Sequence, residues 1–259
     1  MTSHSDHNTP DDTGQAPAPI PDPVGLLVVD KPRGPTSMTV CRVVKRALRA
    51  SGISKTCKVG HGGTLDPLAT GVVVVLIGRP ATRLCDTIMA GQKTYLATID
   101  LAHRSTTDDA EGELTEINVF RAPSEKDITH TLESFVGDIS QIPPAHSAIW
   151  VNGQRAYDLA RAGKNPALKA RIVRVDDITI RHYAFPILQL EINCGKGTYI
   201  RSLARDIGLA LGTGGMLARL RRTRVGEFRI ENATALDDIR APFGQADLLP
   251  LPGQHTNPC

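Results

Sequence analysis

Apolar residues along the chain follow two patterns, one typical of strands and one typical of helices. The strand pattern consists of short apolar runs and of alternating apolar and polar positions. Short apolar, β-branched runs at 26–30 and 72–78 are typical of buried strands. Residues 171–180 and 185–194 alternate apolar and polar positions, as half-buried antiparallel strands do, and residues 93–102 are β-rich with a similar alternation. The pattern therefore predicts a sheet of at least five strands.

Other segments carry apolar residues at helical spacing. One follows the candidate N-caps Thr36 and Ser37 and ends before Gly52, a second begins at the Ser124-x-x-Asp127 box, and a third covers 198–212. A short helix is predicted between Pro80 and Gly91. Since strands and helices do not alternate strictly and no repeat is found, we predict an α+β fold with a mixed, largely antiparallel central sheet flanked by helices and loops.

Two segments differ in composition from the rest. Residues 1–24 are acidic and Pro-rich, so we expect a disordered tail. Residues 141–166 are rich in Pro, Gly and Arg and read as a long loop with one short helical piece, which is often functional in a compact domain. No run of eighteen apolar residues and no signal-peptide pattern occur, so we expect a cytoplasmic protein that does not enter a membrane.

The positive charge is concentrated in two places. The formal net charge is only +3, but eight basic residues and no acid lie between Lys31 and Lys58. Seven arginines lie between Arg201 and Arg229, against Asp206 and Glu227. Such segments indicate a polyanionic partner, most simply nucleic acid, although two solvated helix faces explain the charge alone equally well.

Metal and nucleotide cofactors are not indicated. The five cysteines show no CxxC pairing, and the eight histidines show no ligand spacing. The glycine-rich stretch GHGGTLDPLATG at 60–71 has neither the Walker lysine nor a following helix. We therefore expect neither a metal nor a cofactor.

That glycine-rich stretch holds a single acidic residue, Asp66. Its glycines permit close backbone approach and positive φ, while Pro67 biases Asp66 towards an extended conformation. The prediction is a carboxylate that points outward from a constrained turn. An aspartate that only caps backbone amides of the turn is the alternative.

Six ordered motifs resemble those of the TruB family of tRNA pseudouridine synthases. They are DKPRGPTS, VGHGGTLDPLATGVVVV, KTYLATIDL, IPPAHSAIWVNGQRAYDLARAG, CGKGTYIRSLARDIG and LRRTRVGEF, and together they cover about 26–230. The resemblance implies the pseudouridine synthase fold over 25–230, with a thumb-like RNA-binding insertion at 139–166. It also implies a monomer that isomerises uridine 55 in the T-arm of tRNA without metal or cofactor.

The resemblance also implies roles for individual residues. Asp66 is the catalytic carboxylate, Arg201 holds it bidentately, and Tyr95 stacks on the target base. His61 fills the place of the everted base, Tyr199 lines the uracil pocket, and Lys31 and Leu220 shape the cleft. Contacts to RNA phosphates are predicted for the basic residues Arg42, Lys45, Arg46, Arg219, Arg221 and Arg222.

One carboxylate is enough for this chemistry. Glycosidases use two because one protonates a poor leaving group while the other handles water. Uracilate is a better leaving group and no water enters the isomerisation. Burial alone disfavours an ionised carboxylate, and an arginine partner opposes that effect.

The chain also departs from the family pattern. LAHRSTTDDAEGE has Ala102 and Ser105 where LGxxTxTxDxxG is usual, which makes contacts from that loop less secure, although Thr107 and Asp109 remain. Only a short C-terminal extension, 231–259, follows, too short for the full PUA domain of many members, so we expect either a member that lacks this domain or a truncated chain.

Two competing interpretations remain at this stage. One is a tRNA-binding or RNA-folding module that acts without catalysis. The other is a hydrolase of a glycosidic bond, which would require a second acid near Asp66.

Overall fold

The computed structural model describes residues 20–147, 149–151, 153–164 and 166–253. Most of the predicted disordered tail, 1–19, lies outside this range. Within 20–24, Pro23 is buried, and the amide of Val24 donates to Gln245 Oε1 (2.8 Å), so ordered chain begins before residue 25.

The described residues form fourteen strands and six α-helices. The strands are β1 (Gly25–Lys31), β2 (Val59–His61), β3 (Thr70–Ile77), β4 (Lys93–Asp100), β5 (His103–Ser105), β6 (Leu114–Glu116), β7 (Gly137–Gln141), β8 (Trp150–Val151), β9 (Gln154–Arg155), β10 (Arg171–Ala184), β11 (Ile187–Cys194), β12 (Met216–Val225), β13 (Phe228–Arg229) and β14 (Thr234–Ala235). The helices are α1 (Ser37–Ala50), α2 (Arg79–Arg83), α3 (Cys85–Ala90), α4 (Glu125–Glu133), α5 (Ala156–Arg161) and α6 (Ile200–Ala210).

One mixed sheet organises the molecule. Its order is β14-β1-β3-β12-β4-β11-β10-β7, with β2 added to β3 and β13 added to β12. Only the β1/β14 and β3/β12 pairs are parallel, and the other pairs in this sheet are antiparallel. The predicted α+β class with a largely antiparallel sheet is confirmed.

Local sequence signals set the helix ends. Thr36 caps α1, since its hydroxyl accepts from the amide of Thr39 (3.1 Å), and Ser124 and Asp127 form the predicted capping box of α4. The single helix predicted at 80–91 is wrong in detail, because the chain breaks at Leu84 into α2 and α3.

The sheet carries a buried apolar cluster on each side. The larger cluster contains the inward faces of α1, α4 and α6, including Val44, Ile128 and Leu203. The smaller one lies under α2 and α3 and includes Ala81 and Ile88. Two packed layers of this kind keep the strands rigid, and the strand ends then place the loops that carry polar residues.

The residues after 230 pack on the same unit. Strand β14 pairs in parallel with β1, and Leu236, Ile239 and Phe243 are buried in the larger cluster. Leu26 and Leu249 form a further antiparallel bridge. This segment therefore covers the β1 edge of the sheet, which would otherwise expose unpaired backbone groups.

Candidate active site

The loop between β2 and β3 presents the carboxylate of Asp66. Ser37 at the start of α1 fixes this loop, because its hydroxyl accepts from the Leu65 amide (2.8 Å) and donates to the Leu65 carbonyl (3.2 Å). The Ala69 amide donates to the Asp66 carbonyl (3.1 Å), which closes the turn. The Asp66 side chain remains 37% exposed. The structure thus gives the outward-pointing carboxylate that the sequence predicts.

Arg201, in the first turn of α6, is the partner of Asp66. Its side chain is only 7% exposed, and Nε lies 3.0 Å from Asp66 Oδ2. The predicted bidentate grip is not what the structure shows, because the terminal nitrogens are directed elsewhere. Nη1 donates to the carbonyl of Thr107 (3.4 Å), and Nη2 donates to that of His146 (3.0 Å).

A second carboxylate, Asp109, stands behind the guanidinium. Its Oδ2 is 3.5 Å from Arg201 Nη1, and its side chain is buried. Oδ1 accepts from the Thr107 hydroxyl (2.6 Å) and the Glu111 amide (3.0 Å). Arg201 therefore lies between two carboxylates, and the loop at 105–109 contacts it in spite of the Ala102 and Ser105 departures. Sequence reasoning left Asp109 out of the candidate site, although the TxD motif marked it.

A cavity of about 340 Å³ opens beside Asp66 and Arg201. Tyr95 from β4 is buried in its wall, and burial raises the pKa of the phenol, which therefore stays neutral near pH 7. Tyr199, just before α6, lines the cavity, and burial raises its pKa too. Leu220 from β12 completes the apolar part. Two aromatic rings beside a carboxylate suit a planar base that stacks.

Cationic side chains outnumber acids in this lining. The lining includes four basic residues, Lys93, Lys196, Arg201 and Arg222, whereas Asp66 is the acid among the described lining residues. Burial, followed by repulsion from Arg222, lowers the pKa of Lys93. The Lys93 ammonium donates to the carbonyl of Met89. The cavity therefore favours a ligand that is or becomes anionic.

Lys31 is placed under the loop rather than in the cavity. It is fully buried, and Nζ donates to the carbonyls of Pro32 and Pro35 (2.9 Å each) and of Pro67 (3.4 Å). Burial lowers the pKa of Lys31 to about 8, against the opposing attraction of Asp66. Lys31 therefore shapes the cleft by holding the residue after Asp66, and it is not exposed to a substrate.

Arg222 requires a correction. The prediction of an RNA phosphate contact conflicts with its position, because the residue is 2% exposed in the middle of the sheet. Its guanidinium donates to the carbonyls of Val72 (2.8 Å), Thr64 (3.1 Å) and Gly63 (3.2 Å). Gly71, at φ 105°, lets the backbone of β3 approach Arg222 closely. Arg222 thus anchors the Asp66 loop from below.

His61 lies on β2 rather than on an exposed loop tip. It is half-buried, and its Nδ1 is buried without a hydrogen-bond partner among the described residues. Burial, and then Arg222, lower the pKa of the imidazole, which is therefore neutral at pH 7. A neutral ring can enter a base stack more readily than a hydrated cation.

The remaining predicted RNA contacts are spread over two elements. Arg42 and Arg46 are exposed on α1, and Lys45 between them is half-buried. On β12, Arg219 is exposed, whereas Arg221 donates to both oxygens of Asp30 (3.2 and 2.8 Å). A phosphate at Arg221 would have to compete with that carboxylate.

The base of the predicted insertion is tied to α6. The amide of Tyr199 donates to Gln141 Oε1 (2.8 Å), and Gln141 Nε2 donates to the Tyr199 carbonyl (3.1 Å). Ser202 Oγ and Arg205 Nη2 both donate to the carbonyl of Ile142 (2.8 and 3.0 Å). The excursion then forms the β8–β9 hairpin and the short helix α5, with residues 148, 152 and 165 outside the described ranges.

Within the described ranges, no group of three or more His, Cys, Asp or Glu residues is arranged to hold a metal ion. No helix in the same part of the chain is long and apolar enough to cross a membrane.

Comparisons with known proteins converge on one family. Residues 49–200 match the model of the TruB family pseudouridylate synthase N-terminal domain, and 201–247 match the tRNA pseudouridylate synthase B C-terminal domain. The chain is 46% identical over 227 residues to tRNA pseudouridine synthase B of Thermobifida fusca, covering 85% of this chain and 75% of that protein. A Mycobacterium protein (strain KMS) of the same name is 48% identical over 219 residues, covering 83% and 71%.

Solved structures agree with this. A Cbf5-Nop10-Gar1 complex contains a chain with TM-score 0.63 and 31% identity, covering 83% of this chain and 53% of that one. The archaeal box H/ACA sRNP Nop10-Cbf5 complex gives TM-score 0.60 at 31% identity, covering 83% of this chain and 52% of that one. The family models match most of the chain and the curated relatives cover most of its length, so the chain belongs to the TruB family of pseudouridylate synthases.

Proposed function

We propose that this chain converts a T-loop uridine of tRNA, at position 55, to pseudouridine, with Asp66 as the catalytic carboxylate. The observation that carries the proposal is the accessible Asp66 carboxylate, paired with a buried guanidinium at a cavity lined by two tyrosines. The names of the relatives, tRNA pseudouridine synthase B, support tRNA as the substrate.

The reaction is an isomerisation. The C1'–N1 bond breaks, C1' joins C5, the C5 proton leaves to solvent, and N1 gains a proton, so that the composition of the nucleoside does not change. Asp66 either attacks C1' or removes a proton while the base is detached. A base detached in a cavity of about 340 Å³ can turn without escaping to solvent.

The surrounding charges suit each stage of that reaction. Arg201 keeps a positive charge 3.0 Å from Asp66, which favours the ionised carboxylate. Lys93 and Arg222 face the same cavity, where they stabilise the negative charge that the departing uracil acquires. Tyr95 supplies a neutral ring against which the base stacks and a hydroxyl that can relay the C5 proton.

The target uridine must leave its stack to reach Asp66, at a cost of a few kcal/mol. We propose that His61 fills the vacated place and that the insertion at 139–166 clamps the T-arm. Arg42, Arg46 and Arg219 contact phosphates and position the RNA. We propose that the protein acts as a monomer, with all of these roles filled within one chain.

The two competing interpretations fit the geometry less well. A module that only binds or folds RNA does not need a buried arginine held against one accessible carboxylate. A hydrolase needs a second available acid in the cavity, but Asp66 is the acid among the described residues that line it. Asp109 is buried and already engaged by Thr107, Glu111 and Arg201, and the exposed Glu111 borders the adjoining cleft instead.

Mapping pseudouridine in tRNA tests substrate and reaction together. Unmodified tRNA transcripts are incubated with the wild-type protein and with Asp66→Asn, and pseudouridine is located at nucleotide resolution. We expect one modified position in the T-loop with the wild type and none with the variant. Modification elsewhere would refute the target, and no modification by the wild type would refute the activity.

A further inference from the structure

Ser147 carries a hydroxyl that the fold does not use. The residue is 4% exposed, and its Oγ is buried with no hydrogen-bond partner among the described residues. Buried hydroxyls are nearly always hydrogen-bonded, because an unpaired one loses its bonds to water without replacement. An unpaired hydroxyl in a wall of the candidate site therefore points to a missing ligand group.

The position of Ser147 places this hydroxyl at the site. Ser147 lines the cavity that holds Asp66, Tyr199 and Arg201, and it also lines the adjoining cleft between Asp66 and α5. Ser147 therefore borders the space that a nucleoside in the cavity would occupy.

The backbone around Ser147 is held from two sides. The preceding carbonyl, of His146, accepts from Arg201 Nη2 (3.0 Å), and the carbonyl of Ser147 itself accepts from the amide of Tyr157 in α5 (3.0 Å). The guanidinium that meets Asp66 thus also positions the residue before Ser147. Such support fixes a side chain well enough for it to orient a substrate.

Tyr199 is the alternative partner within the protein. Burial raises the pKa of its phenol, and a hydrogen-bonding interaction with the Ser147 side chain acts in the opposite direction. The two groups are therefore close, but their geometry does not make a hydrogen bond. A hydrogen bond of normal length and angle would have satisfied Ser147 Oγ, which has no such partner among the described residues.

We propose that Ser147 is a substrate-positioning residue whose hydroxyl hydrogen-bonds a polar group of the everted uridine, either a uracil carbonyl or the ribose 2'-hydroxyl. The proposal rests on the proposed function, and it adds a contact that neither the candidate site predicted from the sequence nor the Asp66–Arg201 pair includes. The bond forms only when the nucleoside is in the cavity, so it contributes to binding and orientation and not to the stability of the free protein.

The first test measures stability and turnover of Ser147→Ala together. We expect kcat/KM for tRNA to fall about three- to tenfold, the usual worth of one neutral hydrogen bond. The melting temperature of the free protein should stay unchanged or rise, because an unpaired buried hydroxyl is removed. Ser202→Ala is the matched control, since Ser202 is equally buried but donates to Ile142, and its melting temperature should fall.

The second test separates the substrate from Tyr199. In a Tyr199→Phe background, the Ser147→Ala loss should persist if the hydroxyl contacts the nucleoside and vanish if it contacts only the phenol. An RNA with 2'-deoxyuridine at the target should abolish the loss if the partner is the 2'-hydroxyl and preserve it if the partner is a uracil carbonyl.

Three outcomes would overturn the proposal: an unchanged kcat/KM in Ser147→Ala, a fall in melting temperature as large as that of Ser202→Ala, or complete dependence on the Tyr199 hydroxyl. Turnover by the wild type is measured in parallel. Its absence would refute the proposed function, whereas normal turnover with an indifferent Ser147→Ala would refute only the role of Ser147.

Discussion

Arg201 meets Asp66 through Nε alone, at 3.0 Å from Oδ2, while its two terminal nitrogens hold the carbonyls of Thr107 and His146. One guanidinium therefore joins three separate segments: the Asp66 loop, the loop before β6 and the base of the insertion. The ion pair with Asp66 and the assembly of the cleft therefore both depend on the Arg201 guanidinium.

The shape of Arg201 should therefore matter as well as its charge. Arg201→Lys keeps one positive charge but cannot reach three acceptors in one plane. We expect kcat to fall by about 100-fold or more, because the carboxylate and the insertion lose their common anchor. Single-turnover rates measure the loss. A rate within about threefold of the wild type would show that charge alone suffices.

Substitution of two arginines on β12, Arg222 and Arg219, should change the stability of the protein by very different amounts. Arg222→Met removes a buried guanidinium that satisfies three carbonyls, so we expect a loss of about 3 kcal/mol or more in the free energy of unfolding. Arg219→Met removes an exposed side chain and should change stability by less than about 0.5 kcal/mol.

RNA binding provides the second readout for this pair. Arg219→Met should weaken tRNA binding and lower the slope of log K against log salt by about 1. Chemical denaturation and binding titrations at several salt concentrations measure both effects. A stable Arg222→Met with weakened binding would restore the original sequence-based assignment of Arg222 to the RNA surface.

The lowered pKa of the buried Lys31 should make the stability of the protein depend on pH. Burial lowers its pKa to about 8 in the folded chain, from the ordinary 10.5. Between these values the unfolded chain binds the extra proton, so this residue makes the free energy of unfolding rise with pH, by on the order of 3 kcal/mol in total. Below pH 8 the residue is charged in both states, and the full cost of burying the charge is present.

Denaturation from pH 7.5 to 10.5 measures this effect against Lys31→Met, which lacks the titrating group. The difference between the two proteins isolates Lys31 from the cysteines and tyrosines, whose pKa values are raised by burial and which therefore also make stability depend on pH. Parallel curves for the two proteins would show that the ammonium is not penalised by burial.

Substitution of Gly71 should destabilise the protein more than substitution of Gly34, because only Gly71 lies against the backbone of another strand. Both have positive φ, 105° and 107°, but a Cβ at Gly71 would collide with the backbone of Arg222, whereas a Cβ at Gly34 meets open space. Gly34→Ala should cost about 1–2 kcal/mol through backbone strain alone, and Gly71→Ala clearly more. Thermal denaturation compares them, and equal losses would argue against a close β3/β12 contact.

Periodicity predicted much of the fold because most elements bury one face. The alternation at 171–180 and 185–194 reappears as β10 and β11, and the helical spacing that starts after Thr36 reappears as α1. Strand β12 was not predicted, because four of its ten residues are arginines that mask its strand pattern. Arg222 lies within the sheet where an apolar residue is usual, and its guanidinium is satisfied there by backbone carbonyls of β3 and of the loop before it.

The sequence predicted several residues that the structure brings together, but not the geometry in which they meet. The lone Asp66 and the family motifs pointed to Arg201 and Tyr95, and the structure brings these side chains to one cavity. Arg201 contacts Asp66 through Nε and has Asp109 on its other side. Both features depend on where three segments meet in space. The pattern of residues within any one of these segments carries no such information, and the same is true of the unpaired hydroxyl of Ser147.

Release of tritium from tRNA labelled at C5 of uridine tests the central claim most directly, because the label leaves only when C5 loses its proton. Asp66→Asn has nearly the same shape as the wild type but no charge, and equal melting temperatures would confirm that it is folded. We expect stoichiometric release from the target uridine with the wild type and no release above background with Asp66→Asn. Release by the variant at the wild-type rate would contradict the assignment of Asp66 as the catalytic carboxylate.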